Sequence, residues 1–180
     1  MTPQPISTKT GAQQLDEILT MFSNCGVTVV SLWIQVTSPD NWSRTLSTNL
    51  NFLNSIFSRA GQYGVSIGIY TSSSEWNSIT DYAKITNANL WYWNVHGGGV
   101  PNETPANFND FRSFGGWTSP SVKQFAQTEG FCGITANRDV CDVGMNAAAA
   151  ANFKTSDKIV VGRLGRGSTA ASVKNAEFVQ

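Results

Sequence analysis

Gln35 and Thr37 close the run Leu32-Trp33-Ile34-Gln35-Val36-Thr37, at a place where paired acids would have chemistry to do. Period-two alternation puts Leu32, Ile34 and Val36 on one face of a strand and Trp33, Gln35 and Thr37 on the other. Two carboxylates at that spacing would sit side by side, as acid–base cleavage of a glycosidic bond requires. The chain carries an amide and a hydroxyl there, and neither titrates near neutral pH. Asp40 lies three residues beyond Thr37 and off its face. Glu75 and Glu103 are expected in loops, with no spacing that pairs either with another acid. His96 is the sole histidine, expected at a strand end as a surface or rim side chain, so a two-histidine metal site is excluded.

The bulk properties narrow the partners. Twelve basic and twelve acidic residues balance, and only 13% of the 180 residues are charged, which excludes a polyelectrolyte surface for nucleic acid or anionic membrane. No run approaches a membrane span. Six Trp, four Tyr and ten Phe among many Asn, Ser and Thr suit stacking on neutral polar ligands such as sugars, although any one aromatic is more often core. Cys25, Cys132 and Cys141 show no CxxC or Cys/His spacing, which argues against zinc. They read as buried thiols, or as one Cys132–Cys141 disulfide with a cysteine left over. Met1-Thr2-Pro3-Gln4-Pro5 has neither a basic nor an apolar region of a secretory signal.

Helices and strands alternate along the first half. Leu15, Ile18, Leu19 and Phe22 predict a helix over 13–22, and a strand follows Gly26. Leu50, Leu53, Ile56, Phe57 and Ala60 predict a second helix over 49–63, capped by Gly64. Strands are expected over 65–70 and 89–95, a short helix over 76–85, and a long loop over 100–120. Two further strands, 122–128 and 134–140, have no helix between them. This order implies an α/β sheet or partial barrel over 1–141, followed by a divergent tail over 142–180. The tail, where composition shifts to the run Ala147–Ala151 and then to Gly, Arg and Ser, is expected to be a short helix plus a strand over 158–161, or an appended segment outside the core. Gly97-Gly98-Gly99 and the Gly162–Gly167 stretch match no phosphate loop, and Arg163-Leu164-Gly165-Arg166 reads as a solvated turn.

The order of several short motifs resembles the lysozymes of glycoside hydrolase family 25, in their animal branch. These are Leu32-Trp33-Ile34-Gln35-Val36-Thr37 with Trp42, Ile67-Gly68-Ile69-Tyr70-Thr71 with Trp76, Leu90-Trp91-Tyr92-Trp93, Val122-Lys123-Gln124-Phe125-Ala126, and Gly133 to Asp139. The resemblance implies an irregular or partial (β/α) barrel of the TIM-barrel type. It also implies secretion, antibacterial defence, no cofactor, no metal, and bacterial cell-wall glycan (peptidoglycan) as the partner. The family's central Asp-x-Glu falls on Gln35 and Thr37, its last-strand acid matches Asp139, and its first-strand acid, with the first strands themselves, is expected before Met1. The resemblance therefore implies an impaired muramidase whose groove is lined by Trp33, Tyr70, Trp91, Trp93 and Asp139. The alternatives are weak hydrolysis through Asp139 with Asp40 or Glu75, and a non-functional fragment.

Overall fold

The computed structural model describes residues 1–142, 159–162 and 175–179. Helix α1 (Gly11–Asn24) starts at Thr10, whose hydroxyl accepts from the Gln13 amide while the Gln13 side chain accepts from the Thr10 amide. This reciprocal cap satisfies two amide groups that the first turn leaves without partners. The expected single strand after Gly26 is instead two, β1 (Val27–Val29) and β2 (Ser31–Gln35). The break falls where the chain changes partner, since the Val30 amide donates to Val161 and its carbonyl accepts from Ser66.

Helix α2 (Leu46–Tyr63) ends on Gly64, whose φ of 67° is the left-handed conformation that glycine adopts without a Cβ penalty. Its buried stripe is Asn49, Phe52, Leu53, Ile56, Phe57 and Ala60, with Phe52 taking the place expected of Leu50. Strand β3 (Ser66–Thr71) leads to α3 (Ser73–Thr80), earlier than the expected 76–85. Ser72 caps the helix through the Glu75 amide, and Asp81 and Tyr82, at φ of 55° and 61°, stop it. Ile85 consequently belongs to a strand, β4 (Lys84–Thr86), and Glu75 to a helix rather than a loop.

Strand β5 (Asn89–Trp93), the long loop with a 3-10 turn at Val100–Asn102, and the antiparallel pair β6 (Val122–Phe131) and β7 (Ile134–Cys141) complete the body. The main sheet runs β2-β3-β5-β6-β7, parallel except for its last pair, in a curled half-barrel. Its inner layer is Ile34, Val36, Ile67, Ile69 and Leu90, all at most 3% exposed, packed with the α2 stripe. Each such side chain contributes about 1.5–3 kcal/mol by leaving water. In the tail, β8 (Ile159–Val161) runs parallel to β1, and β9 (Glu177–Val179) pairs antiparallel with β4, setting Phe178 against Phe57 and Trp76. The short helix expected in the tail, with the alanine run 147–151, and the turn at 163–166 lie outside the described residues.

The cysteine expectations are corrected by this topology. Cys25 and Cys132 are exposed, not buried. Cys132 occupies the turn before β7 and Cys141 its far end, roughly 20 Å or more apart at 3.3 Å per residue, whereas a disulfide needs Cα atoms within about 7 Å. Among the described residues no helix is long and apolar enough to cross a membrane, and no three His, Cys, Asp or Glu side chains converge as metal ligands.

Candidate active site

The sheet face opposite the core forms a groove of about 360 Å³. Alternation supplies it: Trp33 and Gln35 from β2, Tyr70 from β3, Trp91 from β5, Gln124 from β6, and Asn137 and Asp139 from β7. Met1 closes the β2 side, its amino group donating to the Trp33 carbonyl at 2.8 Å and its carbonyl accepting from Gln35 at 2.9 Å. Tyr70 meets Trp91 edge-on at 4.9 Å between ring centroids, and Trp33 meets Trp91 at 5.6 Å. Trp33 lies directly over Gly68, where a methyl group would overlap its ring.

Each polar group on this face is tied to a neighbour. Gln35 accepts from the Thr2 hydroxyl at 2.9 Å and donates to Thr37 Oγ1 at 3.0 Å. Tyr70 donates to Gln124 Oε1 at 2.9 Å. Its phenol is pushed up to about 12 by burial, with the charges of Asp139 and Glu75 adding to the shift. Trp91 Nε1 donates to Asp139 Oδ1 at 2.8 Å. Asp139 stands on an outer strand open to solvent through the groove, yet the groove walls remove part of its hydration and raise its pKa, an effect the Trp91 bond only partly reverses.

Of the residues singled out in the sequence, Trp33, Gln35, Tyr70, Trp91 and Asp139 converge here. Thr37 touches Gln35 but faces a neighbouring hollow with Thr2, Pro3 and Trp42. Trp93 lines a second cleft at the end of β5, with its Nε1 donating to Glu75 Oε2 at 2.8 Å. Glu75 also accepts from the Ser38 amide at 2.9 Å and the Ser72 hydroxyl at 3.2 Å, so its carboxylate ties the start of α3 to the loop after β2 and to the end of β5. Asp40 sits in the 3-10 turn Pro39–Asn41, away from the groove. His96 is exposed.

Two clusters escaped the sequence. Behind β5, Lys123 is wholly buried, its Nζ 2.8 Å from Asp110 Oδ2 and from the Pro105 carbonyl. Tyr92 and Asn94 also donate to Asp110, which pins the long loop to the sheet and keeps Phe111 on Tyr92 rather than over Trp91. Behind the β6–β7 pair, Glu103 does meet another acid. Arg138 Nη1 stands 2.9 Å from Glu103 and 3.4 Å from the buried Glu129, whose Oε1 has no donor. The Glu129 carboxyl beside it raises the Glu103 pKa. Gln124 and Asn137 of the groove also went unmarked. Asn137 was findable, because it lies two residues before Asp139 on one strand and so shares its face.

Comparison with known proteins places these features. A family model described as "Lysozyme-like protein 1" matches residues 1–125. The chain is 61% identical over 142 residues to "Lysozyme-like protein 7" of Caenorhabditis elegans, covering 78% of this chain and 50% of that protein. It is 52% identical over 174 residues to "Lysozyme-like protein 1" of the same organism, covering 90% and 58%. To "Probable GH family 25 lysozyme 2" of Dictyostelium discoideum it is 32% identical over 125 residues, covering 69% and 55%. It spans about half to three-fifths of the length of these curated relatives. Among solved structures, a bacterial lysozyme from Streptomyces coelicolor shares the fold, with a TM-score of 0.56, 18% identity, and coverage of 82% of this chain and 66% of that one.

Proposed function

The chain belongs to the lysozyme-like proteins of the glycoside hydrolase family 25 type, and on that premise we propose that its groove binds peptidoglycan-type glycan and hydrolyses it poorly. One observation carries the second half. At the positions that match the family's central acids stand an amide and a hydroxyl, Gln35 and Thr37, bonded to each other at 3.0 Å, and neither group titrates where a general acid must give its proton to a leaving oxygen. A general acid or base contributes about 100- to 10,000-fold, and groups that act together fail together. The binding half rests on the three aromatic rings and on the amide and carboxylate groups of Gln124, Asn137 and Asp139, the usual equipment for sugar faces and hydroxyls.

We read the half-barrel as part of a (β/α) barrel, with residues 1–141 as the lysozyme-like portion and 142–180 as a divergent tail. A second reading, weak hydrolysis, has one observation in its favour. Burial keeps the Asp139 carboxyl protonated to higher pH than an ordinary aspartate, as a general acid requires.

Cell-wall turbidity at pH 4 to 8, run beside a tryptophan-fluorescence titration with soluble peptidoglycan fragments, tests both halves. The expected result is saturable binding without clearing. Clearing with an acidic optimum that vanishes in Asp139→Asn would establish the second reading, and a flat titration would retire glycan binding.

A further inference from the structure

The turn Val100–Asn102 lies against a bulge in β6, where that strand takes one residue more than β7 between the Ala126–Arg138 and Glu129–Ala136 pairs. Two backbone bonds stitch turn and strand together. The Gly99 amide donates to the Gln127 carbonyl at 2.8 Å, and the Thr104 amide to the Phe125 carbonyl at 3.0 Å. Thr128, inside the bulge at a left-handed φ of 51°, donates its amide to Asn137 Oδ1 at 3.1 Å, so the bulge also supports one wall of the groove.

Glu103 and Glu129 meet across this seam. Glu129 is 5% exposed and its Oε1 receives no donor, while one nitrogen, Arg138 Nη1, serves both carboxylates, at 2.9 Å to Glu103 and 3.4 Å to Glu129. A buried carboxylate oxygen left without a donor is costly, and two carboxylates on one guanidinium leave an excess negative charge. No other cation among the described residues relieves it. Lys123, further back on β6, is taken by Asp110, and the exposed His96, whose amide donates to the Asn102 carbonyl, forms no ion pair with either acid.

A proton between the two carboxyl groups supplies the missing donor and cancels the excess charge at once. The raised pKa of Glu103, caused first by its hydrogen bond to Glu129, agrees in direction. A divalent cation is the poorer occupant, because Arg138 already stands against both acids and no third acidic, His or Cys ligand converges with them among the described residues.

We propose that Glu103 and Glu129 share one proton in acid and release it toward neutral pH, so that their bond latches the turn to the bulge in acid and lets both loosen above it. The pair titrates as a unit. Because the fold raises the Glu103 value, the stabilisation is full below the ordinary 4.5 and is lost as pH rises through the higher folded value. The latch holds whether or not the groove binds glycan.

Hydrogen exchange of the full chain, followed by NMR at pH 4 and pH 7 and expressed as protection factors, tests this. From pH 4 to pH 7 the factors of Gly99, Thr104 and Thr128 are expected to fall by about three- to tenfold, the worth of one hydrogen bond, beyond any change at Ile69 and Leu90 in the core. Glu103→Gln puts a permanent donor where the shared proton lies, so its factors at pH 7 should match those of the unsubstituted chain at pH 4. If that variant fails to fold, Glu129→Gln carries the same expectation. His96→Gln should leave the pH response in place. Equal protection at the two pH values, a fall that survives the glutamine substitution, or a fall that vanishes in His96→Gln overturns the proposal. Recovery at pH 7 on adding millimolar calcium chloride also overturns it, by assigning the seam to a metal cation.

Discussion

Two carboxylates flank the same strand and meet opposite fates. Asp139 faces the groove side of β5 and receives one hydrogen bond, from Trp91. Asp110 lies behind β5, where burial also pushes its pKa up, but the Lys123, Tyr92 and Asn94 donors and the Lys123 charge outweigh burial and hold it low. Burial acts in the same direction on both, and the count of donors decides the sign. The back of the strand is built to fix a loop, and the front keeps its one acid incompletely satisfied and accessible.

The sharpest way to break this contrast is to remove Asp110. Asp110→Ala strands the wholly buried Lys123 ammonium, and breaking a buried pair costs about 3–5 kcal/mol; with Asp110 28% exposed, the expected loss is about 2–3 kcal/mol. Urea denaturation should show it, with glycan affinity falling only as far as the loop loosens. The front should answer in the reverse order. Trp91→Ala is expected to weaken glycan binding by about tenfold or more, roughly 1.4 kcal/mol, with a smaller change in urea midpoint. A large stability loss with unchanged affinity would mean that Trp91 is packing and not platform.

Proton linkage gives the two faces opposite slopes. Asp110 is depressed in the folded state, so its stabilisation is present above the ordinary value of 3.8 and is lost as pH falls through the lower folded value. Asp139 is raised, so its contribution is full below 3.8 and is lost as pH rises through the higher folded value. Denaturation midpoints across pH 2.5 to 6.5 should therefore shift in opposite senses in Asp110→Asn and Asp139→Asn, and parallel shifts would refute the distinction. The smallest effect belongs to Glu103, also raised, by the facing Glu129. Glu103→Gln should flatten the decline in stability above pH 4.5 and leave the acid-side midpoint in place.

Local pattern carried the fold a long way. The β-branched and aromatic runs marked β2, β3, β5, β6 and β7, and alternation correctly put Trp33 and Gln35 on the face opposite Ile34 and Val36. The misplacement of α3 came from its ends. Ser72 reads as one more serine until its hydroxyl is seen on the Glu75 amide, and nothing local announces a left-handed Asp81 and Tyr82. The Lys123–Asp110 and Glu103–Glu129–Arg138 groups were invisible for a different reason. Their members are 9 to 35 residues apart and are brought together by strand pairing and by a loop that doubles back. Trp93 shares a face with Trp91, as period two requires, but at the C-terminal end of β5 its indole bonds to Glu75 and lines the neighbouring cleft.

The glycine beneath Trp33 gives the groove a gauge. The indole rests where a side chain at position 68 would be, so the floor sits as low as it does because that residue contributes no atoms. One methyl group there would lift the ring toward Tyr70 and Trp91 and narrow the opening, with every ligand-facing residue unchanged in identity. The width of the groove is thus adjustable from underneath, by a single codon at a residue that lies beneath the ring. Position 68 thus sets the width of the groove independently of the amide and the hydroxyl at positions 35 and 37.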